Sequence, residues 1–594
     1  MKIGQHREHL VRRVGLLAGL VRIVLLLIAL SYWWTQIAQG EQFRELAENN
    51  RLRRISLEAP RGLIYDRHGR QLVENVPSYT LLLDRSLSRD LDASLAFAAG
   101  VLELDVADLR RRLEENRGGK FQQTRLATHL DLVEVARFRV EQLEHPEFEV
   151  AAEHLRLNRH AHYTAHLMGY LGRVTKKDLA TQESVVRRDD LLGRQGVEGR
   201  YEDHLRGERG EQLVVVDSRG RLIEKLDPAL AHAGGNLRLT LDLDLQQEAA
   251  RLLEGQAGAV VALDPRQGDV LALYSSPSFD PNAFARGLTP EEWRALSEDP
   301  RRPLQNRTLQ THAPGSVFKM VMALAALERG VITPESGVYC NGSTRLYNHR
   351  RRCWQSRGHG FENLERALRD SCDVYFYHLG QKLGIEPIAH YARLFGLGRP
   401  TGIALEDEKP GLVPDAEWSE RVRGTRWYPG ETISVAIGQG PILVSPLQAA
   451  VMTGALAVGY VVEPRLVLDE PVRRGEPLSI SPEHLDLVRT ALWKVVNDSQ
   501  GTGRPARIAG LDVAGKTGTA QVVRQETWTK NEELPPELRD HAWFVAYAPA
   551  GDPRLVVVVF VEHGGGGSRV AAPIARELFE TYFGRRTPEP VPVS

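Results

Sequence analysis

Residues 14–37 form an apolar run in a chain where 26% of all residues are Asp, Glu, Lys or Arg. A run of that length crosses the hydrocarbon of a bilayer as a helix, because a helix satisfies its own backbone polar groups where water cannot. Lys2, Arg7, Arg12 and Arg13 precede the run, and Tyr32, Trp33 and Trp34 close it. Basic residues before a span and aromatics at its far end predict a cytoplasmic N-terminus for residues 1–13, with the remainder on the other side of the membrane. A cleaved signal peptide is the rival reading, but no small-x-small site follows and bulky aromatics stand in its place. Arg22 interrupts the span. It either snorkels towards the cytoplasmic face or meets a polar group on another protein's helix.

Past the membrane, a chain of 594 residues is too long for one core, so more than one domain is expected. Its 76 basic and 77 acidic residues leave no net charge that would suggest a polyanion or nucleic-acid partner. Only three cysteines occur, which excludes a disulfide-stapled scaffold.

The chemistry gathers at Thr311-His312-Ala313-Pro314-Gly315-Ser316-Val317-Phe318-Lys319. Pro314 and Gly315 punctuate a turn, and residues 317–327 are apolar helix formers, so Ser316 is placed in the first turn of a buried helix with Lys319 on the same face. A serine beside an amine is a nucleophile beside a base, provided that the lysine is neutral. An N-cap serine with a surface lysine is the bland alternative, and Ser-x-x-Lys alone favours it. Two further motifs decide otherwise. Ser371-Cys372-Asp373 follows, then Lys516-Thr517-Gly518-Thr519 in a segment that reads as a strand over 513–523. In this order the three are the serine acyl-transferase set of penicillin-binding proteins and β-lactamases.

The surrounding pattern is α+β. Residues 259–263 and 270–274 read as a hairpin, a helical middle follows, and residues 542–548, 555–561 and 573–583 read as two strands and a closing helix. One antiparallel sheet with helices on both faces is expected. Gly564 to Gly567 carry no phosphate-loop lysine and read as a flexible exit from a strand. Nearer the membrane, Asp66-Arg67-His68-Gly69 marks a hairpin turn, Val106, Leu109 and Leu113 a helix stripe facing a core, and residues 212–216 a strand.

Ser56 to Leu72 contain Arg61-Gly62-Leu63-Ile64-Tyr65-Asp66-Arg67-His68-Gly69, which is similar to the signature that follows the anchor in class B penicillin-binding proteins. Residues 160–174, with His166, Gly169 and Tyr170, resemble the pedestal of that family. Trp427-Tyr428-Pro429-Gly430-Glu431-Thr432, Ile437-Gly438-Gln439-Gly440 and Ser445-Pro446-Leu447-Gln448 resemble its penicillin-binding protein 2 branch, the elongation transpeptidases of Gram-negative bacteria. The resemblance implies a transmembrane helix at 14–37, an elongated non-catalytic pedestal at 38–235, a penicillin-recognising serine-enzyme domain at 236–584 and a tail at 585–594. It also implies the reaction. Ser316 attacks the penultimate D-alanine carbonyl of a peptidoglycan stem peptide, Lys319 takes its proton, and Ser371 relays a proton to the departing D-alanine. Lys516, Thr517, Gly518 and Thr519 hold the terminal carboxylate, and an acceptor amine completes the cross-link. Asp373 stands where many members of the wider family carry asparagine, and either orders its loop or adjusts the charge around the lysines. β-Lactams are the implied inhibitors, and a SEDS-family glycan polymerase with other elongation-complex proteins the implied partners in the inner membrane.

All three cysteines, Cys340, Cys353 and Cys372, lie in one window with His359 between the last two. Residues 345–359 are basic and poor in core side chains, so ordinary burial does not explain the clustering. Three thiolates and an imidazole make a tetrahedral zinc set; one disulfide plus a free thiol is the alternative in an oxidising compartment. The resemblance favours one structural Zn²⁺ per chain, with Asn341, Tyr347 and His349 as spare candidates beside Cys340. Two other functions share the motifs. A D,D-carboxypeptidase or β-lactamase would hydrolyse the same acyl-enzyme, and a penicillin sensor would acylate once and signal.

Overall fold

The computed structural model describes residues 2–41, 44, 52–85, 87–115, 124–181, 190–216, 222–403, 405–523 and 531–584. The tail expected at 585–594 lies outside them. A helix runs over Lys2–Trp33 and continues as π-helical turns over Trp34–Ala38. Within it, Val11–Ala38 brackets the expected span and is long and apolar enough to cross a membrane. This fits a single-pass anchor.

The chain divides into two compact units, Met1–Arg61 with Pro77–Glu153 and Arg206–Gly234, and Gly62–Val76 with His154–Leu205 and Gly235–Ser594. The segment 38–235 therefore contributes to both. In the smaller unit Leu52–Leu57 pairs antiparallel with Gly210–Val216, which pairs in turn with Leu222–Lys225. Helix Leu91–Leu102 starts on Asp90, whose carboxylate accepts the N–H groups of Asp92 and Ala93. It packs with helix Val106–Glu115 around Leu95, Leu109, Leu113, Leu126, Phe138 and Phe148. Leu109 and Leu113 are buried and Val106 partly so, as the helix stripe predicts.

In the larger unit the expected turn at Asp66 closes a hairpin between Ile64–Tyr65 and the start of the strand Gln71–Leu83, at Gln71 and Val73. The Asp66 carboxylate accepts the N–H groups of His68 and Arg70 and the Arg70 guanidinium, so a local side chain replaces backbone partners at the turn. The elements that build the site come next: strands β1 (Gly258–Leu263) and β2 (Val270–Ser276), helix α1 (Lys319–Glu328), the hairpin of β3 (Ser343–Leu346) and β4 (His349–Arg352), helices α2 (Asp373–Leu383), α3 (Pro429–Val435) and α4 (Pro446–Val458), strands β5 (Ala514–Ala520), β6 (His541–Ala548) and β7 (Leu555–Val561), and helix α5 (Ala571–Gly584).

Five of these strands form one sheet in the order β2-β1-β7-β6-β5, antiparallel throughout. Alternate residues feed opposite cores. Val261, Trp543, Val545, Val558 and Phe560 pack towards α1 and α4, whereas Val260, Phe544, Ala546, Val557 and Val559 pack towards α5. With both faces covered, β7 is apolar at every position, the pattern of a strand buried on two sides. Helix α1 is buried at all its residues except the last, Lys319 included, so its only charge before Glu328 needs partners inside the protein.

The glycine run after β7 departs from the expected flexible exit. Gly567 lies against the carbonyl of Trp543 and against Gly518, where any Cβ would overlap backbone. Its own carbonyl accepts the N–H groups of Ala571 and Ala572 at 3.1 and 2.9 Å, which starts α5. The run therefore ends in a close-packed corner, and glycine stands at 567 because the backbones touch there.

Candidate active site

Ser316 lies in a single 3₁₀ turn, Gly315–Phe318, that runs into α1 at Lys319. This turn is tighter than the expected α-helical one. Residues three apart eclipse in it, so the helix start itself puts Ser316 and Lys319 on one side. Gly315 has φ 55°, and a Cβ there would overlap the Thr519 carbonyl of β5. Its N–H donates to Gly438 O at 2.9 Å. The turn that carries Ser316 is thus clamped between β5 and the loop after α3.

The ammonium of Lys319 is fully buried and has three acceptors for its three hydrogens: Asp373 Oδ1 at 2.6 Å, Ser371 O at 2.8 Å and Ser371 Oγ at 3.3 Å. Lys516 is equally buried on β5. Its Nζ lies 2.9 Å from Ser371 Oγ and 3.1 Å from Thr517 O. Burial, and then the charge of Lys319, push the Lys516 amine well below the usual lysine range. Burial raises the Asp373 carboxyl, and Lys319 opposes that shift. Ser371 Oγ is the atom that both lysines share.

Ser371 reaches that position by an unusual helix ending. Helix Leu364–Arg369 stops with Ser371 N–H on Leu368 O at 3.3 Å and Cys372 N–H on Ala367 O at 3.0 Å. That pair of bonds is the Schellman motif, in which the left-handed residue is usually glycine. Here it is Ser371, at φ 55°. The hydroxyl justifies the strain, since glycine could not join the two lysines.

Other expected residues fall beside this centre. Thr517 is buried and its hydroxyl bonds Thr502 Oγ1 at 3.0 Å; the Thr519 carbonyl accepts Gln439 Nε2 at 3.0 Å; Gly518 lies between them on β5. The second carboxylate oxygen of Asp373 accepts Trp354 N–H at 3.0 Å. Thr502 and Trp354 carry no sign of these roles in the sequence, since each meets the site only through a long-range hydrogen bond, whereas Gln439 lies in the motif at 437–440.

The cysteine window folds into one cluster. Cys340, Cys353, His359 and Cys372 bring their donor atoms within 4.8 Å of one another, the three sulfurs buried. His359 Nδ1 stands 3.7 Å from Cys340 Sγ and 3.6 Å from Cys353 Sγ. From the usual zinc bond lengths, a nitrogen-to-sulfur edge of a tetrahedral site is about 3.6 Å. The cysteines are free rather than paired in a disulfide. A hydrogen bond from the Cys372 thiol favours the thiolate at Cys353 and holds it well below the usual thiol range. Asn341, Tyr347 and His349 are exposed, and His349 does not join the cluster.

Comparison with known proteins agrees with this geometry. The family model for the penicillin binding protein transpeptidase domain matches residues 258–580, and that for the penicillin-binding protein dimerisation domain matches residues 56–239. The peptidoglycan D,D-transpeptidase MrdA of Haemophilus influenzae is 34% identical over 585 residues, covering 93% of this chain and 89% of that one. Penicillin-binding protein 2 of Helicobacter pylori, solved in complex with MreC, superposes with a TM-score of 0.81 at 28% identity over 90% of this chain and 99% of the other. A chain from a peptidoglycan synthase complex that coordinates polymerization and crosslinking gives 0.72 at 31% identity, covering 98% of this chain and 100% of that one.

Proposed function

Because this chain belongs to the penicillin-binding protein transpeptidases, in the branch of MrdA and penicillin-binding protein 2, we propose that it cross-links peptidoglycan through an acyl-enzyme on Ser316. The family reaction is D,D-transpeptidation in cell-wall synthesis. Ser316 Oγ attacks the penultimate D-alanine carbonyl and its proton passes to Lys319 in the neutral state. Backbone N–H groups of Ser316 and Thr519 stabilise the oxyanion. The bond to the terminal D-alanine nitrogen breaks as Ser371 relays a proton to it. The acceptor amine then attacks the ester, a new amide forms, and Ser316 recovers its proton. Lys516, Thr517 and Thr519 hold the donor's terminal carboxylate with a cation and hydroxyls. Water in place of the amine gives D,D-carboxypeptidation, read as free D-alanine without dimers.

The observation that carries this reading is the single hydroxyl, Ser371 Oγ, at 3.3 Å from Lys319 and 2.9 Å from Lys516. It is a path for protons between the side of attack and the side of departure. The test is Ser316→Ala, a small change that leaves the fold intact. Labelling by fluorescent penicillin should vanish; labelling that persists at another serine removes Ser316 from the role.

Zinc belongs to the same proposal. The four donors suit a structural ion, which would be held by Cys340, Cys353, His359 and Cys372 and would supply rigidity and no chemistry. Cys372 adjoins Ser371 and Asp373, so a fixed Cys372 backbone aims both. With the helix Val11–Ala38 as anchor, the N-terminus is cytoplasmic and the catalytic unit periplasmic, where β-lactams acylate Ser316. By likeness to the neighbours solved with MreC and in a synthase complex, the partners are elongation-complex proteins, among them a SEDS-family polymerase.

A further inference from the structure

The hairpin β3–β4 breaks two local rules at once. Its register sets Arg345 directly opposite Arg350, and like charges facing each other across a strand pair destabilise it. Its two-residue turn is Tyr347-Asn348, with φ 50° and 64°. Asparagine and glycine suit such a turn, whereas a tyrosine is strained there. Between Glu335 and Glu362 the chain carries five arginines, at 345, 350, 351, 352 and 357, and no acidic residue. Among the described residues no carboxylate pairs with Arg345, Arg350, Arg351 or Arg357 within 4.0 Å. Arg345 and Arg350 are exposed, and Arg350 Nε reaches only Ser343 Oγ, at 3.2 Å.

The hairpin is fastened to the catalytic rim. Leu346 packs with Tyr377 of α2 and Ile433 of α3. Thr344 Oγ1 lies 3.2 Å from His378 Nε2, Tyr377 OH donates to Arg352 O at 3.1 Å, and Arg351 donates to Gly430 O at 3.2 Å. Helix α2 opens at Asp373, and α3 leads to Gly438, which holds Gly315 beside Ser316. The two helices that carry the hairpin therefore also carry parts of the reaction centre.

A chain keeps facing arginines and a strained turn where function uses them. Two exposed arginines at facing register positions, without an internal counter-ion, suit a carboxylate, which guanidinium groups grip in planar charge-assisted hydrogen bonds. Balanced net charge speaks against a polyanion, not against one local anion. Resting on the transpeptidase reading, we infer that Arg345 and Arg350 form a carboxylate clamp for the acceptor stem peptide, whose free carboxylates accompany the attacking amine. Arg351 stands behind the pair, and the Tyr347-Asn348 turn sets its spacing.

The test uses full-length protein with lipid-linked donor glycan and its polymerase, supplied with a soluble acceptor stem peptide bearing either free or amidated carboxylates. Wild type should prefer the free acid by about tenfold in acceptor KM, the value of one charge-assisted contact. Arg345→Gln with Arg350→Gln should lose that preference by raising KM for the free acid, and lysine at both positions should restore part of it. The thermal midpoint of the glutamine variant should not fall, because a repulsive pair has been removed. Ser316 acylation by penicillin is read in parallel, so failure of the nucleophile reading appears as absent labelling in every variant. Equal use of both acceptors by wild type overturns the clamp, as does a glutamine variant with unchanged acceptor KM. A fall in KM discrimination matched by a lower midpoint and slower acylation assigns the arginines a structural role and also overturns it. So does unchanged acceptor kinetics with lost binding to phosphatidylglycerol vesicles.

Discussion

Lys319 shows what a buried cation requires. All three of its hydrogens are taken, one by a carboxylate, and its stem lies in a helix with no other polar side chain before Glu328. Asp373 is therefore the counter-charge of Lys319, the base of the proposed reaction, and, through Trp354, a strut to the cysteine loop. Asp373→Leu leaves Lys319 without its anion, and loss of one partner of a buried pair costs about 3 kcal/mol or more. The melting temperature and the rate of acylation should both fall, and Asp373→Asn, which keeps one acceptor, should lose less stability. Equal stability in all three proteins would mean that the pair contributes nothing to the fold.

Elements matter here mainly at their ends. The second motif is a link between two helices, Leu364–Arg369 and α2, and the cysteine cluster ties that link to β4 and to strand Val338–Cys340. The excursion between Cys340 and His359 has little apolar core, so a metal bond would provide what packing does not, and the binding free energy of a structural ion enters folding directly. Cys353→Ser and His359→Ala are expected to lower both the melting temperature and the acylation rate, although neither residue touches the substrate. Elemental analysis should return about one zinc per chain for one tetrahedral site. A metal-free protein that carries a disulfide and acylates at the normal rate would end this reading.

Across the larger unit, stability is coupled to pH through histidines that burial keeps neutral. His166, His312 and His541 are pushed to about 4, 3 and 4, with burial the first cause in each, and His312 Nε2 is buried without a partner. In the unfolded chain each takes a proton near 6.5. Below that pH the unfolded state binds more protons, so the contribution of these histidines is constant above about pH 7 and turns against the fold as pH drops towards the folded values. Each histidine costs about 1 kcal/mol by pH 5.5. The thermal midpoint should decline between pH 7.5 and 5.5, and His312→Gln should make that decline shallower. A flat profile for the wild type would contradict the linkage.

Local chemistry along the chain determined much by itself. An apolar run must be a helix in hydrocarbon; β7 could be apolar throughout only between two covered faces; Ser316, Ser371 and Lys516 announced themselves by motif and order. These features are legible because each depends on neighbours in sequence or on a strand's period of two. What the tertiary structure alone decided are contacts across tens or hundreds of residues. They include Lys319 with Asp373, Ser371 in a glycine's conformation between two lysines, Gly567 against Trp543, and Thr502 beneath Thr517. Arg345 and Arg350 lie only five positions apart in sequence, yet their opposition depended on the register of the hairpin. In a strand pair a slip of one residue changes every facing partner, and no reading of composition contains the register.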